Sequence, residues 1–187
     1  MPPTNRADAL RNRALLLAAA GEVIAEHGTN ASLRDVARRA GVGIGTLYRH
    51  FPNREVLLEA LLDANFDALR ARADGLLASP DPEAALLAWL EEMAAGSATY
   101  QGLPESIMDA LANEESGLHE ACDRMKSAGG RLLERAQEAG SIRPELTIRA
   151  VIAVALGLSW AAQYASDLSE QVGPLLRAAI VASGARE

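Results

Sequence analysis

The sequence predicts an all-α protein, a small three-helix N-terminal headpiece followed by a longer helical body. Three observations lead there. Ala, Leu, Glu and Arg dominate while aromatic residues are only 4% of the chain, so helix propensity is favourable throughout. No run rich in Val, Ile and Thr alternates with polar residues, which leaves no candidate strand. Glycine and proline cluster at a few places and divide the chain into segments of helical length. At 187 residues and 49% hydrophobic composition, the chain can bury a core of its own. The punctuation at Phe51-Pro52-Asn53 places the boundary between headpiece (1–52) and body (53–187).

The elements follow in order. A first amphipathic helix runs from near Asp8 to His27, with Leu10, Ala14, Leu17, Gly21 and Ile24 at helical spacing. Gly28 supplies its left-handed C-terminal cap. Ser32-Leu33-Arg34-Asp35 has the form of a capping box, in which the serine oxygen and the Asp35 carboxylate satisfy free amides of a helix reaching Ala40. Gly41 and Gly43 break that helix, and a short one follows over Ile44 to His50. Two short helices joined by a tight glycine turn form a helix-turn-helix. Asn53 caps a long helix carrying Val56, Leu57, Ala60, Leu61, Ala64 and Leu69, which couples headpiece to body. Breaks at Ser79-Pro80-Asp81-Pro82, Gly102-Leu103-Pro104 and Gly140 to Pro144 then leave body helices near 82–99, 104–112, 115–139, 145–166 and 171–183.

Several function classes lose support at this level. Cys122 has no second cysteine to pair with, and His27, His50 and His119 are too scattered for a metal site, so neither metal nor cofactor is expected. A reducing interior, the cytoplasm, fits this usage. Arg11 to Ala20 imitates a signal peptide, but Glu22 and Glu26 follow at once within the same helical period. Ala150 to Ser166 falls short of the roughly 18 apolar residues that span a bilayer and contains Ser159 and Gln163, so it reads as a buried helix and not a membrane span. The glycine run 41–45 follows a helix and matches no phosphate-binding loop, and no paired carboxylates or nucleophile elbow stand out. A helical enzyme therefore has no positive support. Net charge is −7, unevenly spread. Residues 1–55 hold eight arginines against five acids, and the remainder ten Lys or Arg against twenty acids. A basic headpiece on an acidic body permits local attraction to phosphates, since screening confines it to about 10 Å.

Within the headpiece, Leu33, Val36, Ala37, Val42, Leu47 and Phe51 have the spacing of a small apolar core. That leaves Ile44, Thr46, Tyr48, Arg49 and His50 facing outward on the third helix. The run Ser32-Leu33-Arg34-Asp35-Val36-Ala37, then Ala40-Gly41-Val42, Gly45-Thr46-Leu47-Tyr48-Arg49-His50-Phe51 and Arg54-Glu55, resembles the DNA-binding signature of the TetR family. The resemblance covers residues 10 to 62; Arg143-Pro144-Glu145-Leu146 is similar to a segment that opens the penultimate helix in this family. It implies that Ile44, Gly45, Thr46 and Tyr48 face bases or the groove wall, while Ser32, Arg34, His50 and Arg54 hold phosphates; Arg49 belongs to the same outward face. Gly43 departs from the family's usual Ser or Thr at the helix start. Ile44 stands where a polar residue is common, and can offer only apolar contact, such as to a thymine methyl.

In the body, residues 147–165 are apolar around most of a helix, so a partner must cover more than one side. The resemblance implies a two-fold homodimer through the last two long helices, with Ala153, Gly157 and Ala161 permitting close approach. It also implies a small-molecule effector in a cavity of the body. Trp89, Met93, Tyr100, Met108, Met125, Trp160 and Tyr164 are the large adaptable residues available to line it. Few charges punctuate these helices, which favours an apolar, uncharged or lipophilic effector. The resulting expectation is a repressor that occupies a palindromic double-stranded DNA operator and is released by such an effector. The alternative is a regulator whose body binds a protein partner.

Overall fold

Helix-forming composition and the glycine and proline breaks together set the element order. The computed structural model describes residues 3–97 and 102–182. Among these residues the chain forms α1 (Pro3–His27), α2 (Leu33–Arg39), α3 (Ile44–His50), α4 (Arg54–Leu76), α5 (Pro82–Ser97), α6 (Glu105–Ala112), α7 (Gly117–Glu138), α8 (Ile148–Ala162) and α9 (Val172–Ile180). A 3₁₀ turn, Ser166–Gln171, leads into α9. No strand forms among the described residues, so the all-α expectation holds; an isolated antiparallel bridge joins Ile142 to Val181. The helices fall into two compact units. One gathers α1 to α3, α4 up to Ala64, and α6 through His119; the other gathers α4 from Asn65, α5, α7 from Glu120, α8 and α9.

In the first unit, local chemistry sets the helix ends. Gly28 adopts a φ of 74°, and its amide closes α1 on the Ile24 carbonyl at 2.7 Å. Asn53 Oδ1 accepts the Val56 amide at 2.9 Å, capping α4. The capping box at α2 forms by half. Ser32 Oγ accepts the Arg34 amide at 3.2 Å, but the Asp35 carboxylate turns to Arg38 at 2.8 Å, because a guanidinium one turn further on competes for it. Pro3 opens α1 five residues before the expected start, as proline fits a first helical turn.

The buried face of α1 differs from the expected stripe. Leu16, Ala19, Ala20, Val23 and Ile24 are buried, whereas Leu10 is 64% exposed and Ala14 is exposed. Residues 14–20 are apolar around the whole circumference, so periodicity alone does not choose a face; packing within the unit does. In α4 the expected Leu57, Leu61 and Leu69 are buried, joined by Leu58, Leu62 and Ala73, while Val56 and Ala64 face outward.

The second unit is built around Trp89. Its ring is fully buried among Leu69, Leu86, Leu90, Met93, Met125, Ala128, Leu132, Leu133 and Ala136, with its Nε1 donating to the Leu69 carbonyl at 2.9 Å. Gly129 of α7 passes directly over the indole, and a Cβ there would stand 2.3 Å from it. The α7–α8 connection is pinned by Gln137 Nε2, which donates to the Arg143 and Leu146 carbonyls at 3.0 and 2.9 Å. Thr147 Oγ1 accepts the Ala150 amide at 3.3 Å, which starts α8 at Ile148 rather than 145.

Candidate nucleic-acid interface

The turn between α2 and α3 exists because glycine permits it. Gly41 takes a φ of 68°, strained for a side-chain-bearing residue, and the Val42 amide returns to the Ala37 carbonyl at 3.0 Å. Gly43 then caps α3 through its carbonyl, which accepts the Thr46 and Leu47 amides at 2.8 and 3.2 Å. It has no side chain with which to add a further cap, so α3 starts without the stabilisation Ser or Thr would add.

One side of α3 faces the headpiece core. Leu47 and Phe51 are buried at 0% and 1% exposure, together with Val36 and Ala37 of α2; Leu33 and Val42 are half-buried. Arg13 of α1 lies over the Phe51 ring at 5.5 Å from its centroid. The other side faces solvent. Ile44 and Tyr48, one helical turn apart, are 38% and 49% exposed, and Gly45 and Arg49 are exposed beside them. Thr46 and His50 are half-buried at the edges, with the His50 ring 6.3 Å from Phe51. A Cβ added at Gly45 would meet no atom within 4 Å. Internal packing therefore does not require glycine there, and its smoothness is available to something outside.

The basic residues divide sharply. Arg38 pairs with Asp35, and Arg39 bridges to Glu26 at 2.7 Å and Glu22 at 3.2 Å, tying α2 to α1. The Arg39 hydrogen bond holds the Glu26 carboxyl below its usual range, and Glu26 and Glu22 in turn raise the guanidinium's. Arg54 is half-buried, donating from Nη1 to Asn30 Oδ1 at 3.3 Å and from Nη2 to the Ala31 carbonyl at 3.2 Å. In this state it braces the α1–α2 turn. Arg34 is exposed with no carboxylate partner among the described residues, and Arg49 touches only the Gly45 carbonyl through Nε at 3.2 Å. Ser32 is exposed beside them. Arg34 and Arg49 thus carry the charge on this face that is free to meet phosphate.

The large body residues singled out from sequence do not line the described cavity. Trp89, Met93 and Met125 are core; Met108 on α6 is 53% exposed; Trp160 and Tyr164 meet at the surface with rings tilted by 59°, 5.0 Å between centroids, at 58% and 73% exposure. Tyr100 lies outside the described residues. A cavity of 430 Å³ opens instead between α5, α8 and the start of α9, lined by Glu91, Ala94, Ala95, Ser159, Ala162, Gln163, Val172 and Gly173. Sequence reasoning sought large residues, and this space exists because small ones line it. On α8, Ala153 and Gly157 are exposed and Ala161 half-buried. No three His, Cys, Asp or Glu side chains among the described residues could hold a metal ion, and no described helix is long and apolar enough to cross a membrane.

A helix-turn-helix whose second helix buries one side and offers a smooth, partly basic face on the other, carried on a helical body, defines the class of DNA-binding transcriptional regulators. Comparison with known proteins gives the family. Residues 16–61 match the bacterial regulatory proteins of the tetR family, and residues 81–186 match the C-terminal domain of SbtR-like transcriptional regulators. The chain belongs to the TetR family of transcriptional regulators. A crystal structure of a TetR regulator from Streptomyces coelicolor is 32% identical, covers 89% of this chain and 95% of its own, and superposes with a TM-score of 0.71. One from Mycobacterium vanbaalenii is 30% identical over 95% of this chain and 99% of its own, with a TM-score of 0.66. An HTH-type transcriptional regulator of Staphylococcus aureus is 34% identical over 76 residues, and that match spans 39% of either chain.

Proposed function

We propose that this regulator is a repressor, that it occupies a palindromic operator as a homodimer, and that a small lipophilic molecule releases it. The observation carrying the DNA side is the outward face of α3, where Ile44 and Tyr48 stand exposed around a glycine that internal packing does not need. Ile44, Gly45, Thr46 and Tyr48 meet the major groove, Ile44 by apolar contact with a thymine methyl. Ser32, Arg34, Arg49, His50 and Arg54 hold the backbone, Arg54 by exchanging its Asn30 contact for a phosphate. The division of labour is a reading headpiece over 1–52 and a responding body over 53–187.

An apolar face left open on α8 and α9 supports dimerisation. Val154 and Trp160 on α8, Tyr164 just beyond its end and Leu175 on α9 are exposed large apolar residues, and a Cβ at Gly157 would meet nothing within 4 Å. A second copy laid against Ala153, Gly157 and Ala161 approaches closely because these side chains are small. The second reading, a protein partner on the body, draws on the same exposed Trp160–Tyr164 pair. The largely apolar cavity supports a small molecule instead.

Induction works through geometry. The helix α4 is unbroken from Arg54 to Leu76, so an effector that prefers one body conformation shifts the spacing of two recognition helices that need roughly 34–36 Å, or a multiple, to enter matching grooves. Reciprocity requires operator DNA to weaken effector binding by the factor with which effector weakens DNA binding, typically about 5–150-fold. Calorimetry of one ligand in the presence and absence of the other tests this. Equal effector affinity with and without operator overturns release by this route.

A further inference from the structure

The cavity between α5, α8 and α9 has an uneven polar lining. Ala94, Ala95, Ala162 and Val172 make its walls apolar, while Glu91 is its one charged lining residue. Neighbouring acids have found cations: Glu92 is bridged by Arg72 at 3.0 Å and Glu83 by Arg177 at 2.5 Å. Glu91 has no ion pair among the described residues. Room for its carboxylate is kept by Gly173, where a Cβ would come within 2.9 Å of Glu91 Oε1.

Of the other polar lining residues, the exposed Gln163 amide can both donate and accept. The Ser159 hydroxyl spends its proton on the Ala94 carbonyl at 3.0 Å, so towards the cavity it can only accept. A ligand matched to Glu91 and to the Ser159 oxygen would bring positive charge and an N–H donor on an apolar frame. Glu91 is exposed at the cavity, so repulsion from it disfavours anions, and a cation gains an attraction that a neutral molecule lacks.

Resting on the reading that the body binds a small molecule, we propose that this cavity takes a lipophilic organic cation, an alkylammonium with its charged head on Glu91 and its chain along the alanines. The volume of 430 Å³ lies within the range of small-molecule sites, roughly 300–1,000 Å³. The sequence expectation is an apolar, uncharged or lipophilic effector; this assignment keeps the lipophilic part and adds a positive charge.

Three probes of one chain length separate charge from lipophilicity: hexylammonium, hexan-1-ol and hexanoate, titrated calorimetrically into the full chain without DNA. Hexylammonium is expected to bind at least tenfold more tightly than hexan-1-ol, and hexanoate not at all. Glu91→Gln removes that preference, whereas Glu92→Gln, which changes an exposed carboxylate paired with Arg72, leaves it intact. Gly173→Ala, which pushes the carboxylate aside, weakens the cation alone. Equal binding of cation and alcohol, a preference that survives Glu91→Gln, or no binding of any probe overturns the assignment. None of these outcomes touches the effector reading itself, which stands or falls on whether any small molecule changes operator affinity.

Discussion

The Thr29 hydroxyl donates to the Gly102 carbonyl at 2.9 Å, joining the α1–α2 turn to the turn that precedes α6. Thr29 is the one buried polar residue among those described, and Gly102 holds a φ of 70° beside it. Replacing Thr29 with valine keeps the shape and leaves the carbonyl without this donor, a loss of about 1 kcal/mol. A fall in melting temperature of roughly 2–4 °C is expected for a chain of this size, with helicity unchanged. An unaltered melting temperature would show the bond to contribute nothing.

Gly129 is a packing requirement. Its Gly129→Ala variant drives a methyl to within 2.3 Å of the Trp89 ring, which is fully buried and tied through Nε1 to the Leu69 carbonyl. Destabilisation of about 1–3 kcal/mol or more is expected from denaturant titration. Gly130→Ala, the next residue, where a Cβ meets nothing within 4 Å, should stabilise or be neutral, because alanine is the better helix former.

Acid sensitivity of the α1–α2 tie follows from Glu26, whose carboxyl is held below the ordinary value of 4.5 chiefly by its hydrogen bond with Arg39. A depressed folded-state value contributes stability above the unfolded value and loses it as pH falls through the folded one. Glu26→Gln should therefore lower the melting temperature slightly at pH 7, and the difference from wild type should vanish at strongly acidic pH. A difference independent of pH would mean that packing, not charge, joins the two helices.

For the dimer, Gly157→Arg or Ala153→Glu should give a folded monomer by light scattering, because both positions are exposed and Gly157 has open space beside it. A wild-type monomer at micromolar concentration would contradict the proposed interface.

What could be read beforehand was local. Gly28, Gly41, Asn53 and the limits of α3 follow from backbone conformations and caps that neighbouring residues determine. The buried face of α1 was not legible, because Leu15, Leu16 and Leu17 offer apolar surface in three directions and only tertiary packing selects Leu16. Thr29 escaped because its partner is 73 residues away. Trp89 and Met93, expected from sequence to line an effector cavity, lie in the core, because size alone does not distinguish core from cavity wall. The cavity is the negative image of Ala94, Ala95, Ala162 and Gly173, and leaves no mark in a search for bulky side chains.

The outward face of α3 is the centre of this account, and the most direct measurement is binding of duplexes selected from random sequence by the wild-type protein. Selection should yield a palindrome bound about 10³-fold or more tighter than random DNA. On that duplex Tyr48→Ala and Arg34→Ala should both bind more weakly with unchanged melting, Arg34→Ala also flattening the log–log salt dependence by about one unit. Failure to enrich any sequence, or wild-type affinity and salt dependence in both variants, would contradict the assignment of this face to DNA.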